Sequence, residues 1–146
     1  MGSFNFREEK NIMSSKKFTE MVDRKHGVVN ADITTDRTGS VYYPAANFRK
    51  IIGVLVTGSV ADTKKAGVQL LQAKDASGTD AKNLGTAVEV VASGAQSLTV
   101  TQEADAADMD KANGFTYAGI KVSSDNASAV IGGAAILLTE PRYASV

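Results

Sequence analysis

The sequence predicts an all-β fold: an antiparallel β-sandwich, jelly-roll-like, with an extended or partly helical N-terminal arm. Three observations carry that expectation. About eight short segments rich in β-branched and other apolar residues recur at intervals of roughly 8–12 residues. Glycine, Asp, Asn and Ser punctuate the gaps, as turns between strands require. Glycine is frequent, with 13 residues, and proline scarce, with 2; small residues mixed with β-branched ones suit a sheet with many turns better than a helical bundle.

The segments follow in order. Residues 1–27 form an arm and 28–146 the sandwich domain. The arm mixes Lys, Arg, Glu and Asp with scattered apolar residues. Ser14 or Ser15 caps a short helix running to about Lys25, on which Phe18, Met21 and Val22 make one narrow apolar stripe. That helix either folds back on its own domain or docks on a partner; a tag-like tail is the third reading. Val28–Ile33 and Gly39–Tyr43 are β-prone pieces around a Thr-Thr-Asp-Arg-Thr-Gly turn, and Pro44 ends the second. Ile51 to Val60 is a strong strand, in which Gly53 marks a bulge or a close backbone approach. Gly67 to Lys74 places Val68 and Leu70 on one side and Gln69 and Leu71 on the other. Asp75 to Asp80 reads as a turn, Asn83 to Ala92 as a strand, and Ser97 to Gln102 as a strand burying Leu98 and Val100. The acidic Glu103 to Asn113 reads as a helical turn stopped by Gly114.

The stretch Gly114 to Tyr143 reads as two strands joined by the polar turn Ser123-Ser124-Asp125-Asn126, an apolar hairpin at the centre of the domain. Its first strand alternates, with Thr116, Ala118, Ile120 and Val122 on one face. Its second, Ala129 to Leu138, is apolar on both faces, as a central strand should be. Pro141 ends the ladder for want of an N–H.

Whole-chain properties bound the function. With 146 residues the chain suits one domain with a real core. The 16 Lys and Arg balance the 16 Asp and Glu, so neither nucleic acid nor an anionic membrane is an expected partner. No cysteine is present, which removes disulfides and thiolate chemistry. The polar N-terminus lacks the apolar core of a secretory signal, and the apolar run Ala127 to Leu138 is too short to span a bilayer. Synthesis in a cytosol and a soluble product are expected.

Residues able to do chemistry are few. His26 is the only histidine, with no cysteine beside it, so zinc is not expected. No serine sits in a Gly-x-Ser-x-Gly elbow. Starting from Asp108, a calcium loop would need glycine at position six and an acid at position twelve; Asn113 holds the first and no acid the second. Gly132-Gly133 lies inside an apolar strand rather than a phosphate loop. No catalytic residue, metal ligand or cofactor site is expected, and the chain is not read as an enzyme.

From about Lys64 onward the chain resembles capsid decoration, or cement, proteins of tailed bacteriophages. The residues carrying this are Val68-Gln69-Leu70-Leu71-Gln72-Ala73-Lys74-Asp75-Ala76-Ser77-Gly78 and Ala81-Lys82-Asn83-Leu84-Gly85. Asp108-Met109-Asp110, Asn113-Gly114-Phe115-Thr116-Tyr117, Ala134-Ala135-Ile136-Leu137-Leu138 and Pro141-Arg142-Tyr143 complete them. The resemblance implies a structural virion protein on the outer surface of a phage head, usually a homotrimer, that clamps the major capsid protein lattice. Contact residues expected on this reading are Phe4, Phe6, Lys16, Lys17, Phe18, Met21 and Arg24 of the arm, with Arg142 and Tyr143 near a subunit contact. A neck, tail or head-fibre component is one alternative. A carbohydrate-binding β-sandwich is another, for which Tyr42, Tyr43, Phe115 and Tyr117 are the aromatic clusters.

Overall fold

The computed structural model describes residues 22–139. Ten strands occur in order: β1 (Val22–Asp32), β2 (Arg37–Thr38), β3 (Tyr43–Pro44), β4 (Lys50–Val60), β5 (Lys65–Ala73), β6 (Lys82–Asn83), β7 (Val88–Val91), β8 (Gln96–Asp105), β9 (Tyr117–Ser124) and β10 (Ile131–Thr139). Two short 3-10 turns, Ala106–Asp108 and Lys111–Asn113, separate β8 from β9.

The strands form two antiparallel sheets. One has the order β1-β10-β4-β8; the other has β9 and β5 at its centre, flanked by the fragments β2 and β3 on one side and β6 and β7 on the other. Taking β2 with β3 as one strand position and β6 with β7 as another leaves eight positions. Their antiparallel pairs are nested: first with last, second with seventh, third with sixth, fourth with fifth. That is a long hairpin rolled up over one core, the jelly-roll arrangement of two Greek keys. The predicted sandwich class is therefore the observed one.

Alternation builds the core. β8 is buried at Leu98, Val100, Gln102 and Ala104 and exposed between them. β9 buries Ala118, Ile120 and Val122, on the face the alternation assigns to them. These meet Ile51 and Leu55 of β4 and Ile136 and Leu138 of β10, all at most 1% exposed. Gly53 is a close approach rather than a bulge: a Cβ there would stand 2.9 Å from both Leu70 and Ile120 of the facing sheet. Gly114 caps its 3-10 turn in the left-handed conformation, at φ 87°.

Several expectations are corrected. β9 and β10 are not a hairpin. β9 pairs with β5, β2 and β3, whereas β10 pairs with β1 and β4, so the polar turn between them is a crossover from one sheet to the other. Its side chains tie loops together: Asp125 Oδ1 accepts the Lys65 amide at 2.8 Å and Asn126 Oδ1 the Ala61 amide at 3.0 Å. Val22 to Gly27 lie in β1, and Val22 to Lys25 are strand rather than helix; their register against Ile136 to Thr139 holds them in the sheet. The remainder of the expected helix lies outside the described residues, as does Pro141. Glu103 to Asp105 continue β8 because they pair with Lys50 to Ile52. Pro44 lies within β3 rather than after it. The strand expected over Asn83 to Ala92 is broken, because Leu84 turns into the core and Gly85 takes φ 72°.

Candidate interaction surface

The outer face of the β1-β10-β4-β8 sheet is built by the outward half of each strand's alternation. Directly paired residues of an antiparallel ladder share a face. One row across it reads Arg24, Leu137, Ile52, Glu103. The next reads His26, Ala135, Val54, Thr101. A third continues from Gly133 through Val56 to Thr99. The middle of the face is thus apolar, with polar or charged residues on the two edge strands.

Along β10 the small Gly133 and Ala135 leave a groove between His26, Val29 and Asn30 on one side and Val54 and Val56 on the other, about 500 Å3 in volume and open to solvent. Val29 is 73% exposed, Val56 56% and Ile131 54%. Three of the five large apolar side chains that are exposed among the described residues therefore lie on this one face. Exposed apolar clusters of this kind mark contact surfaces.

The rim is charged. Lys50 Nζ donates to Glu103 Oε1 at 2.6 Å and lies 3.5 Å from Asp105. The Glu103 hydrogen bond and charge, with the Asp105 charge, raise the Lys50 ammonium above the usual lysine range. The β8 rim thus carries two carboxylates, which Lys50 at the start of the neighbouring β4 neutralises in part, and the β1 rim carries Arg24.

Arg24 is the one expected contact residue among those described; it is exposed and stands at the edge of this face. Phe4, Phe6, Lys16, Lys17, Phe18, Met21, Arg142 and Tyr143 lie outside the described residues. Sequence reasoning missed Ile52, Val54, Val56 and Leu137 as surface. Strands apolar on both faces read as doubly buried, and the facing sheet built on β9 and β5 covers only one side of β4 and β10.

Elsewhere the candidates are engaged structurally. His26 is an exposed strand residue whose carbonyl accepts the Tyr43 hydroxyl at 2.8 Å. Among the described residues no three His, Asp or Glu side chains gather to hold a metal. Asp110, of the calcium-like stretch, bonds Lys82 at 2.7 Å and the Asn113 amide; those hydrogen bonds hold its carboxyl below the usual range. Asp75 closes its own turn, accepting the Thr79 hydroxyl at 2.6 Å and the amides of Ser77 and Thr79. Of the clustered aromatics Tyr42 and Phe115 are buried, and Tyr43 and Tyr117 are half-buried. Tyr42 is 6% exposed, which raises its phenol pKa, and Phe115 lies beneath Lys82, 4.1 Å from Nζ to the ring centre.

No family model matches the chain, and no curated protein does. Solved structures match it. The structure of infectious bursal virus derived T=1 particles aligns at 8% identity over 83% of this chain and 31% of that one, with a TM-score of 0.50. More distant are the naturally occurring empty particles of cowpea mosaic virus (10% identity, 83% and 82% covered, TM-score 0.44) and the CBM22-1–GH10 modules of the Clostridium thermocellum xylanase 10B (6%, 80% and 28%, 0.44). The chain spans about a third of the length of the bursal virus chain it matches. At such identity the likeness is one of fold alone, that of a two-sheet jelly roll.

Proposed function

We propose that the chain is a structural virion protein, a decoration or cement protein that binds the outer surface of a phage head and stabilises its major capsid protein lattice. The observation that carries this reading is the rolled-hairpin fold, which aligns with a virus-particle chain at a TM-score of 0.50. The resemblance of residues from Lys64 onward to phage decoration proteins supplies the finer role. The reading includes no enzymatic activity and places the protein in the virion. A cement protein works by contact area: it needs a rigid domain, a surface that partners cover, and repeated engagement of a closed lattice, where multivalency strengthens individually weak contacts. Copies of the chain associate with one another in this reading; a threefold number comes from the resemblance alone.

The test is addition of the purified protein to shells that lack it. Co-sedimentation with the shells, and a rise in the temperature at which they open, are expected. Protein that stays wholly in the supernatant at saturating concentration overturns the reading. Binding on a glycan array in its place would move the assignment to a sugar-binding module.

A further inference from the structure

The apolar outer face of the β1-β10-β4-β8 sheet has no covering element among the described residues, and its rows carry a pattern that selects one occupant. The row Arg24, Leu137, Ile52, Glu103 runs from positive through apolar to negative. We propose that this face is a self-association surface, on which two copies of the chain pack face to face about a two-fold axis parallel to the strands, between β10 and β4.

That operation exchanges left and right across each row. Arg24 of one copy then faces Glu103 of the other, Leu137 faces Ile52, and Ala135 faces Val54. The β8 rim holds Glu103 and Asp105, which with Lys50 of β4 make a net negative group, and it lies over the β1 rim with Arg24. Turning one copy end for end instead, about an axis across the strands, would lay Arg24 over the β1 rim of its partner and the β8 carboxylates over each other's strand. Only the former pairing is complementary at both rims, and an isologous two-fold contact needs that self-complementarity. Facing sheets packed with aligned strands are also an ordinary sandwich geometry. The groove at Gly133 and Ala135 receives the partner's Val54 and Val56.

Size sets the strength. Four strands spaced about 4.8 Å apart and three alternate rows along them span roughly 19 by 20 Å, or about 400 Å2 per copy. That is below the usual ~800 Å2 per partner and belongs with weak, concentration-dependent contacts. The inference does not rest on shell binding, and it names a two-fold pairing rather than the threefold number that the resemblance implies.

The experiment is sedimentation of the full chain across roughly 1–300 µM. A reversible monomer–dimer transition within that range is expected, as for a small, weak interface. Val56→Asp, at a half-exposed position, should leave circular dichroism and thermal unfolding near wild type and shift the transition at least about tenfold. Arg24→Glu and Glu103→Lys should each weaken dimerisation alone. Mixed one to one they should restore it as heterodimer, because each introduced charge then faces an opposite one. A chain monomeric throughout the range overturns the proposal, as does an oligomer indifferent to Val56→Asp, or folded charge variants that the mixture does not rescue. Labelling Val56→Cys, in a chain with no other cysteine, gives one more outcome. If the thiol of the monomer reacts only after removal of residues 1–21 or 140–146, the chain's own terminal segment covers the face and the second copy is ruled out.

Discussion

The side chain of Gln102 completes the ladder beside Leu70. Its Oε1 accepts the Leu70 amide at 2.6 Å, and its Nε2 donates to the Leu84 carbonyl at 3.0 Å. β5 pairs with β7 at Lys65 to Val68 and with β6 at Leu71 and Gln72, so the chain beside Leu70 is not in a strand. Gln102 reaches across from β8, in the other sheet, and is 1% exposed. It ties β5 to the chain just after β6, at the break between β6 and β7, and no buried side-chain polar atom among the described residues lacks a partner.

Gln102→Leu keeps the volume and removes both bonds. It leaves the buried Leu70 amide unpaired, while the Leu84 carbonyl keeps the bond from Gln69 Nε2 at 3.2 Å. A loss of about 1–3 kcal/mol in denaturant unfolding is expected. A change below about 0.5 kcal/mol would mean that water or a backbone shift takes over the role of the side chain.

The Tyr42 ring lies between Gly119 of β9 and Gly78 of the β5–β6 turn, so close to both that an added Cβ would overlap it. Gly119→Ala should destabilise by about 1–3 kcal/mol through overpacking. Gly78→Ala should cost at least as much, since Gly78 also takes φ 84°. Adding Tyr42→Ala to Gly119→Ala should recover the clash portion of the loss, which a double-mutant cycle measures.

Acid should destabilise the fold in a narrow window. The Thr34 amide and hydroxyl lower the Asp32 carboxyl, the Thr79 hydroxyl and amide lower Asp75, and the Lys82 and Asn113 side chains lower Asp110. Each folded carboxyl therefore binds its proton less readily than the unfolded one. The stability this provides is fully present above the unfolded value of about 3.9 and is lost as pH falls through the folded values. The melting temperature should hold from neutrality to about pH 5 and drop below about pH 4. Asp75→Asn, which cannot titrate, should flatten part of that drop.

Two truncations separate arm from sheet. Removal of residues 1–21 leaves the pairing of Val22 to Lys25 with Ile136 to Thr139 in place, whereas removal of 1–27 deletes it. The second should lower thermal stability well beyond the first. Equal melting temperatures would place no stability in the start of β1.

Much of this molecule is readable residue by residue. The alternation of Ala118, Ile120 and Val122, the burial of Leu98 and Val100, the Asp75 turn and the Gly114 cap all follow from local periodicity and local hydrogen bonding, which act over a few residues. Local periodicity assigns a face to each side chain, and that was enough to predict an all-β sandwich. It does not name a partner strand. The turn at Ser123 to Asn126 has the same composition whether it closes a hairpin or crosses between sheets. β10 leaves β9 because its inward residues, Ile136 and Leu138, help close the core from the opposite sheet, between β1 and β4. The same decision made a surface of Ile52, Val54, Val56 and Leu137, which the sequence alone presents as core. Their exposure, and their alignment between Arg24 and Glu103, arise only when strands from the two ends and the middle of the described chain are brought side by side. Strand pairing is a long-range choice, made by closure of two sheets over one core.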